Sequence, residues 1–172
     1  MSYAVLSCRY LLAGVFLVAL VGKLRSRTAY SEFAAATGAL LGVGDPTARY
    51  AALTTLTAEA LIVCALIAEP TARIGLVLAA LLLGCFTVAL GRALRRGSTT
   101  PCRCFGASTT PIRVHHAMRS ASLGVLALAG LLADLTLETH SYAPAGVAVA
   151  APAVAMGILL ITRLDDVVDL LR

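Results

Sequence analysis

The sequence predicts an all-α, polytopic membrane bundle: four to five transmembrane helices with one short interfacial helix, in a single domain over residues 1–172. Three observations carry this expectation. The chain is 59% hydrophobic and 13% charged, against the roughly 45–50% apolar content of an ordinary soluble domain. Its mean hydropathy is +0.89, more apolar surface than a soluble fold of this length covers. The apolar residues also gather in runs close to the ~20 residues that cross a bilayer.

The first run is Tyr3–Gly22, followed at once by "KLRSR". A cleaved secretory leader carries its positive charge ahead of the apolar run and small residues after it. Here the charge follows, so the run is expected to be a retained span, with Arg9 near its end and able to snorkel. Residues 28–49 are less apolar and contain Gly38, Gly42, Gly44 and Pro46. Phe33, Thr37, Leu40 and Leu41 recur there at helical spacing, which predicts a short interfacial helix ending in a "GVGDP" turn. Tyr50–Ala68 is the second span, with Glu59 near its middle, and "EPTAR" supplies a turn with proline just past the helix end. Arg73–Gly91 is the third span, uncharged inside. The fourth runs from about Ala117 to Ala133, with Arg119 at its edge, and the fifth is Ala145–Ile161. "TRLDDVVDLLR" then reads as a short amphipathic tail.

The formal net charge of +5 does not call for nucleic acid, because arginines in a membrane protein anchor the cytoplasmic loops. The expected partner is the lipid bilayer, and the expected location is the plasma (inner) membrane, crossed several times. Every basic residue except Lys23 is arginine, and alanine is abundant, the signature of GC-rich coding and an actinobacterial source. Lys23, Arg25, Arg27 and Arg49 follow the first span, and Arg92, Arg95, Arg96, Arg103 and Arg113 follow the third. The connection after the fourth has Asp134 and Glu138 with neither Arg nor Lys. With five spans, this bias puts the N-terminus outside and the C-terminus inside.

Five cysteines cannot all pair within one chain. Cys8, Cys64 and Cys85 lie in apolar runs and read as small buried hydrophobes. Cys102 and Cys104 lie in the one substantial polar loop, 92–116, within "PCRCFG". Cysteines at i and i+2 on extended backbone close a small, strained and therefore easily reduced disulfide. Arg103, with Arg95, Arg96 and Arg113 nearby in sequence, favours thiolate, and Pro101 and Gly106 set the chain's entry and exit. A metal site is the alternative: Cys102, Cys104, His115 and His116 are a zinc-type donor set, although the spacing is not that of a zinc finger. The simpler reading of the two histidines places them at the water interface ahead of the fourth span.

Glu59 is the other chemical candidate. A carboxylate at mid-span costs a few kcal/mol or more when charged, so such residues face the bundle interior and serve a relay or ligand. A purely structural glutamate, packed with Thr54, Thr55 or Thr57, is the competing reading. Cys64 is five residues on, roughly 140° around the helix, and does not share Glu59's face.

"CRCFG" after a third hydrophobic span resembles the signature of the MauE family, part of the wider DoxX-like group. Gly14 in a first span running into Lys23, then Phe33, mid-span Glu59 and Phe86 in the third span are further points of similarity. Where the family often shows Arg-Asn after the motif, this chain has Arg119–Ser120. The resemblance implies a redox-associated membrane protein in which Cys102 and Cys104 are the exchanging pair. Phe105 and Gly106 shape their loop, and Glu59 is a buried acid. It also implies a thioredoxin-like partner and a role in maturing a disulfide-rich, tryptophylquinone-containing dehydrogenase subunit; it does not extend to a methylamine substrate, because members need not sit in that pathway. The expected function is thiol–disulfide exchange, with electrons passed to a quinone or a second thiol pair. Cys8 or Cys85 would serve as an onward station if packing brought them near. Metal binding or trafficking, and a scaffold for the thioredoxin-like partner, are the rival readings.

Overall fold

The computed structural model describes residues 2–97, 114–136, 154–157 and 159. Five helices make up the bundle: α1 (Ser2–Leu24), α2 (Arg27–Leu41), α3 (Asp45–Ile67), α4 (Ala72–Arg95) and α5 (Val114–Thr136). There is no strand among the described residues. Among the described residues four segments are long and apolar enough to cross a membrane: Val5–Leu24, Asp45–Ile67, Glu69–Arg95 and Val114–Thr136. The predicted fifth span, Ala145–Ile161, falls mostly outside the described residues, although 154–157 are helical. A Cβ on Gly157 would lie 2.7 Å from Leu11 Cδ1 of α1.

Local chemistry sets the helix ends. Ser26 caps α2, its Oγ accepting from the Ala29 N–H at 3.0 Å, a cap worth about 1 kcal/mol. Gly42 ends α2 in the left-handed region at φ +70°. Its N–H donates to Gly38 O at 2.8 Å, a geometry that a side chain at Gly42 would strain. Pro46 in the first turn of α3 has no N–H for the helix start to leave unsatisfied. The helix therefore begins at Asp45, five residues before the predicted span. A single 3₁₀ turn, Glu69–Thr71, then reverses the chain into α4.

The face that α2 buries is Ala29, Phe33, Ala34 and Gly38, not the predicted Phe33–Thr37–Leu40–Leu41 stripe; Leu41 is exposed. The turns between α1 and α4 are short, and contact between the start of α4 and the end of α5 sets those two antiparallel as well. One end of the bundle gathers the start of α1, the end of α3, the start of α4 and the end of α5. Arg73 Nε, for example, donates to Asp134 Oδ2 at 2.6 Å. The opposite end gathers Lys23, α2, the start of α3, the end of α4 and the start of α5.

Leu12, Phe16, Ile62, Leu66, Leu76, Leu83, Leu123 and Ala127 fill the centre, drawn from four helices. In lipid, burying these residues against one another gains little hydrophobic free energy. Close packing at small residues therefore does more to hold the helices together. Gly75 shows how close that packing is. A Cβ there would lie 2.9 Å from the Leu66 backbone N.

Arg9 corrects the snorkelling expectation. It is 2% exposed, with Nε and Nη2 donating to Leu66 O at 3.2 and 3.0 Å and Nη1 donating to Glu69 Oε1 at 3.0 Å. The guanidinium thus satisfies a carbonyl in the last turn of α3, one the helix itself leaves open. It clamps α1 to α3 instead of reaching water.

Candidate functional site

Lys23 closes α1, and its side chain turns back into the bundle to donate from Nζ to Glu59 Oε1 on α3. Lys23 is 2% and Glu59 1% exposed. The ammonium also lies 4.8 Å from the centroid of the Phe33 ring of α2, within cation–π range. Phe33 packs with Ala34, Ala52 and Leu56, joined by Leu20 and Tyr30. Three helices thereby enclose one ammonium–carboxylate pair in an apolar shell. Each charge answers the other's desolvation, and neither is tolerable alone.

The threonines near Glu59 in sequence do not supply its partner. Thr54 and Thr55 donate to Ala51 O, and Thr57 to Leu53 O, all on their own helix. Glu59 Oε2 has no hydrogen-bond partner among the described residues, so half of the carboxylate remains open to a proton or a transient donor. The sequence marks Lys23 as a family likeness and a loop cation but does not assign it to Glu59. The available signal was its being the one lysine in a chain that otherwise uses arginine. A lysine offers a compact ammonium on a flexible stem, which suits a single buried carboxylate.

A second set of polar side chains sits in the first two turns of α5. His116, Arg119 and Ser120 are 1%, 6% and 0% exposed. This overturns the interfacial reading of His116, which faces the bundle interior; His115, half-buried, stacks against it with ring centroids 4.1 Å apart. Ser120, where the family often carries asparagine, has no hydrogen-bond partner for its Oγ among the described residues.

Cys102, Arg103, Cys104, Phe105 and Gly106 lie outside the described residues. The chain leaves the described structure after Gly97 and re-enters it at Val114, both at the end of the bundle that holds Lys23. No group of three or more His, Cys, Asp or Glu residues is placed to hold a metal among the described residues. The proposed metal set includes two cysteines from outside them.

The remaining cysteines correct the expectation that all three are buried. Cys8 is buried, its Sγ donating to Leu126 O at 3.3 Å, whereas Cys64 and Cys85 are exposed on the helix exteriors. Cys8 lies at the end of the bundle opposite Lys23, and Cys85 faces outward, so neither is packed beside Glu59.

A helical bundle with four spans among the described residues and a buried charge pair between α1 and α3 defines a polytopic membrane protein with a polar element built into its apolar interior. More particularly, the chain belongs to the MauE family: the family profile, described as methylamine utilisation protein MauE, matches residues 1–133. That stretch takes in α1 to α4, the Cys-Arg-Cys-Phe-Gly segment and most of α5. No curated protein and no solved structure matches the chain.

Proposed function

We propose that the protein is a membrane thiol–disulfide exchanger, with Cys102 and Cys104 as its redox pair and a thioredoxin-like protein as its partner. It would serve the oxidative maturation or the reduction of exported proteins. The observation that carries this reading is the "PCRCFG" segment, placed in sequence between two spans of a family member. Arg92, Arg95 and Arg96 end the helix before it, and Arg103 separates the two thiols, a cationic setting that favours thiolate.

In the exchange, a partner thiolate attacks one sulfur of the Cys102–Cys104 disulfide and releases the other as thiolate. The second partner thiol then resolves the mixed disulfide. The partner leaves oxidised to a disulfide, while Cys102 and Cys104 are left as two thiols. Reoxidation passes two electrons and two protons to a membrane quinone, giving the quinol, or to a second disulfide, giving two thiols. Phe105 and Gly106 shape the loop. Glu59, paired to Lys23 at Oε1 and open at Oε2, handles protons inside the bundle.

The test is acid-quench trapping of thiols in intact cells, followed by mass analysis of the peptide bearing Cys102 and Cys104. A disulfide that converts to dithiol when cellular reductant is raised is the expected result. Cys102→Ser and Cys104→Ser each abolish exchange while leaving the fold intact. Unchanged exchange in both variants would overturn the reading. Thiols that never oxidise, and are shielded from alkylation until chelator is added, would replace it with metal binding through Cys102, Cys104, His115 and His116.

A further inference from the structure

The outward face of α4 carries a built groove that the thiol chemistry does not use. At its polar end a cleft of about 550 Å³ runs beneath the overhanging Leu40 and Leu41 of α2, along Gly84, Cys85 and Val88, to Arg92 and Arg96. Gly84 deepens it, since a Cβ there would meet no atom within 4 Å. A second cleft of about 270 Å³, between Leu61 of α3 and Leu78 of α4, shares Leu81 and Cys85 with the first. The two therefore adjoin at Leu81 and Cys85 on the helix exterior.

The ligand chemistry follows from the lining. No acidic side chain lines either cleft, and Arg92 and Arg96 form no ion pair among the described residues. The polar end thus presents two guanidiniums with no described acid paired to them, and the rest of the lining is apolar. Arg92 to Leu81 is eleven residues, roughly 16 Å of helix, close to half of the ~30 Å hydrocarbon layer. The depth is that of one leaflet, with the cations at headgroup level.

We infer that this groove is a binding site for an anionic glycerophospholipid. Arg92 and Arg96 take the headgroup phosphate, and an acyl chain lies along Gly84, Cys85 and Leu81. A zwitterionic headgroup brings a cation beside its phosphate, whereas an anionic one brings a net negative charge to the two guanidiniums. The site stands independently of the thiol exchange proposed above.

Native mass spectrometry of the full-length protein, released from micelles containing phosphatidylglycerol or phosphatidylcholine, tests the inference. Phosphatidylglycerol is expected to be retained at least tenfold more strongly, since arginines at the surface level favour anionic lipid. Arg92→Gln/Arg96→Gln removes that preference, whereas Arg25→Gln/Arg27→Gln, at exposed positions of the same end, leaves it. Gly84→Leu fills the groove and lowers retention of both lipids. A further readout needs no substitution: bound phosphatidylglycerol slows alkylation of Cys85 but not of Cys64. Equal retention of the two lipids, a preference that survives loss of both arginines, or a neutral prenyl quinone held in place of phospholipid would each overturn the assignment.

Discussion

Lys23 and Glu59 are buried and each is the other's charged partner, so their loss should be strongly non-additive. Lys23→Met leaves the Glu59 carboxylate, 1% exposed, buried without its cation, and removing one member of a buried pair costs about 3–5 kcal/mol. Glu59→Leu strands the ammonium in the same way. The double variant Lys23→Met/Glu59→Leu should regain most of the loss, because apolar replacement of a whole buried pair is near neutral. Unfolding midpoints of the three variants in detergent check this, and additive losses would mean that the two charges act separately. The same double variant separates packing from chemistry. If Glu59 handles protons, the protein folds and yet exchanges thiols slowly; if the pair only locks α1 to α3, exchange persists. The sequence made Glu59 conspicuous, because a carboxylate inside a span needs a reason. Its partner stayed hidden because Lys23 is 36 residues away, and only the packing of three helices shows that its stem reaches inward.

Gly75 carries the argument at the level of elements. α3 and α4 approach so closely there that a Cβ would meet backbone atoms at 2.9 Å (Leu66 N) and 3.0 Å (Ala65 C), and backbone cannot rotate away as a side chain tip does. Gly75→Ala should force the two helices apart and cost about 1–3 kcal/mol, the range for overpacking. The control is Gly91→Ala on the same helix, where a Cβ would meet nothing within 4 Å and helix propensity should favour alanine. Thermal midpoints moving in opposite directions are the expected outcome; a loss at both positions would show that chain flexibility, not close approach, governs α4. The helices themselves were largely legible, since hydropathy marks a span and Ser26, Gly42 and Pro46 punctuate α2 and α3. Which face each helix turns inward was not legible. In water, an apolar neighbourhood signals a core; in lipid it describes the exterior equally well. Cys64 and Cys85 therefore read as buried and are exposed. For the same reason Arg9 read as an anchor at the water boundary, though it is buried against Leu66 O.

Across the whole molecule the charges are distributed unequally between the two ends of the bundle. At the end holding the start of α1, Arg9 is paired with Glu69 and Arg73 with Asp134, so no basic side chain of the described residues is left over there. At the opposite end Arg25, Arg27, Arg92, Arg95 and Arg96 form no ion pair with a described acid, while Lys23 is matched by Glu59 and Arg49 by Asp45. Orientation follows the excess of Arg and Lys in short loops near the span ends, so the Lys23 end should face the cytoplasm. Structure strengthens the sequence argument on this point. A count along the chain includes Arg73 and Arg9 as positive charges, whereas the fold shows each already neutralised by a neighbour. The prediction is specific. In intact cells, a membrane-impermeant thiol reagent should label a cysteine placed at Asp134 and spare one placed at Gly97, both in a chain whose native cysteines are replaced by serine or alanine. Permeabilised cells should label both. Labelling of Gly97→Cys in intact cells would invert the topology. Since the "PCRCFG" segment follows Gly97 in the connection between α4 and α5, inversion would also move its electron supply from the reducing cytoplasmic thiol pool to the oxidising exterior.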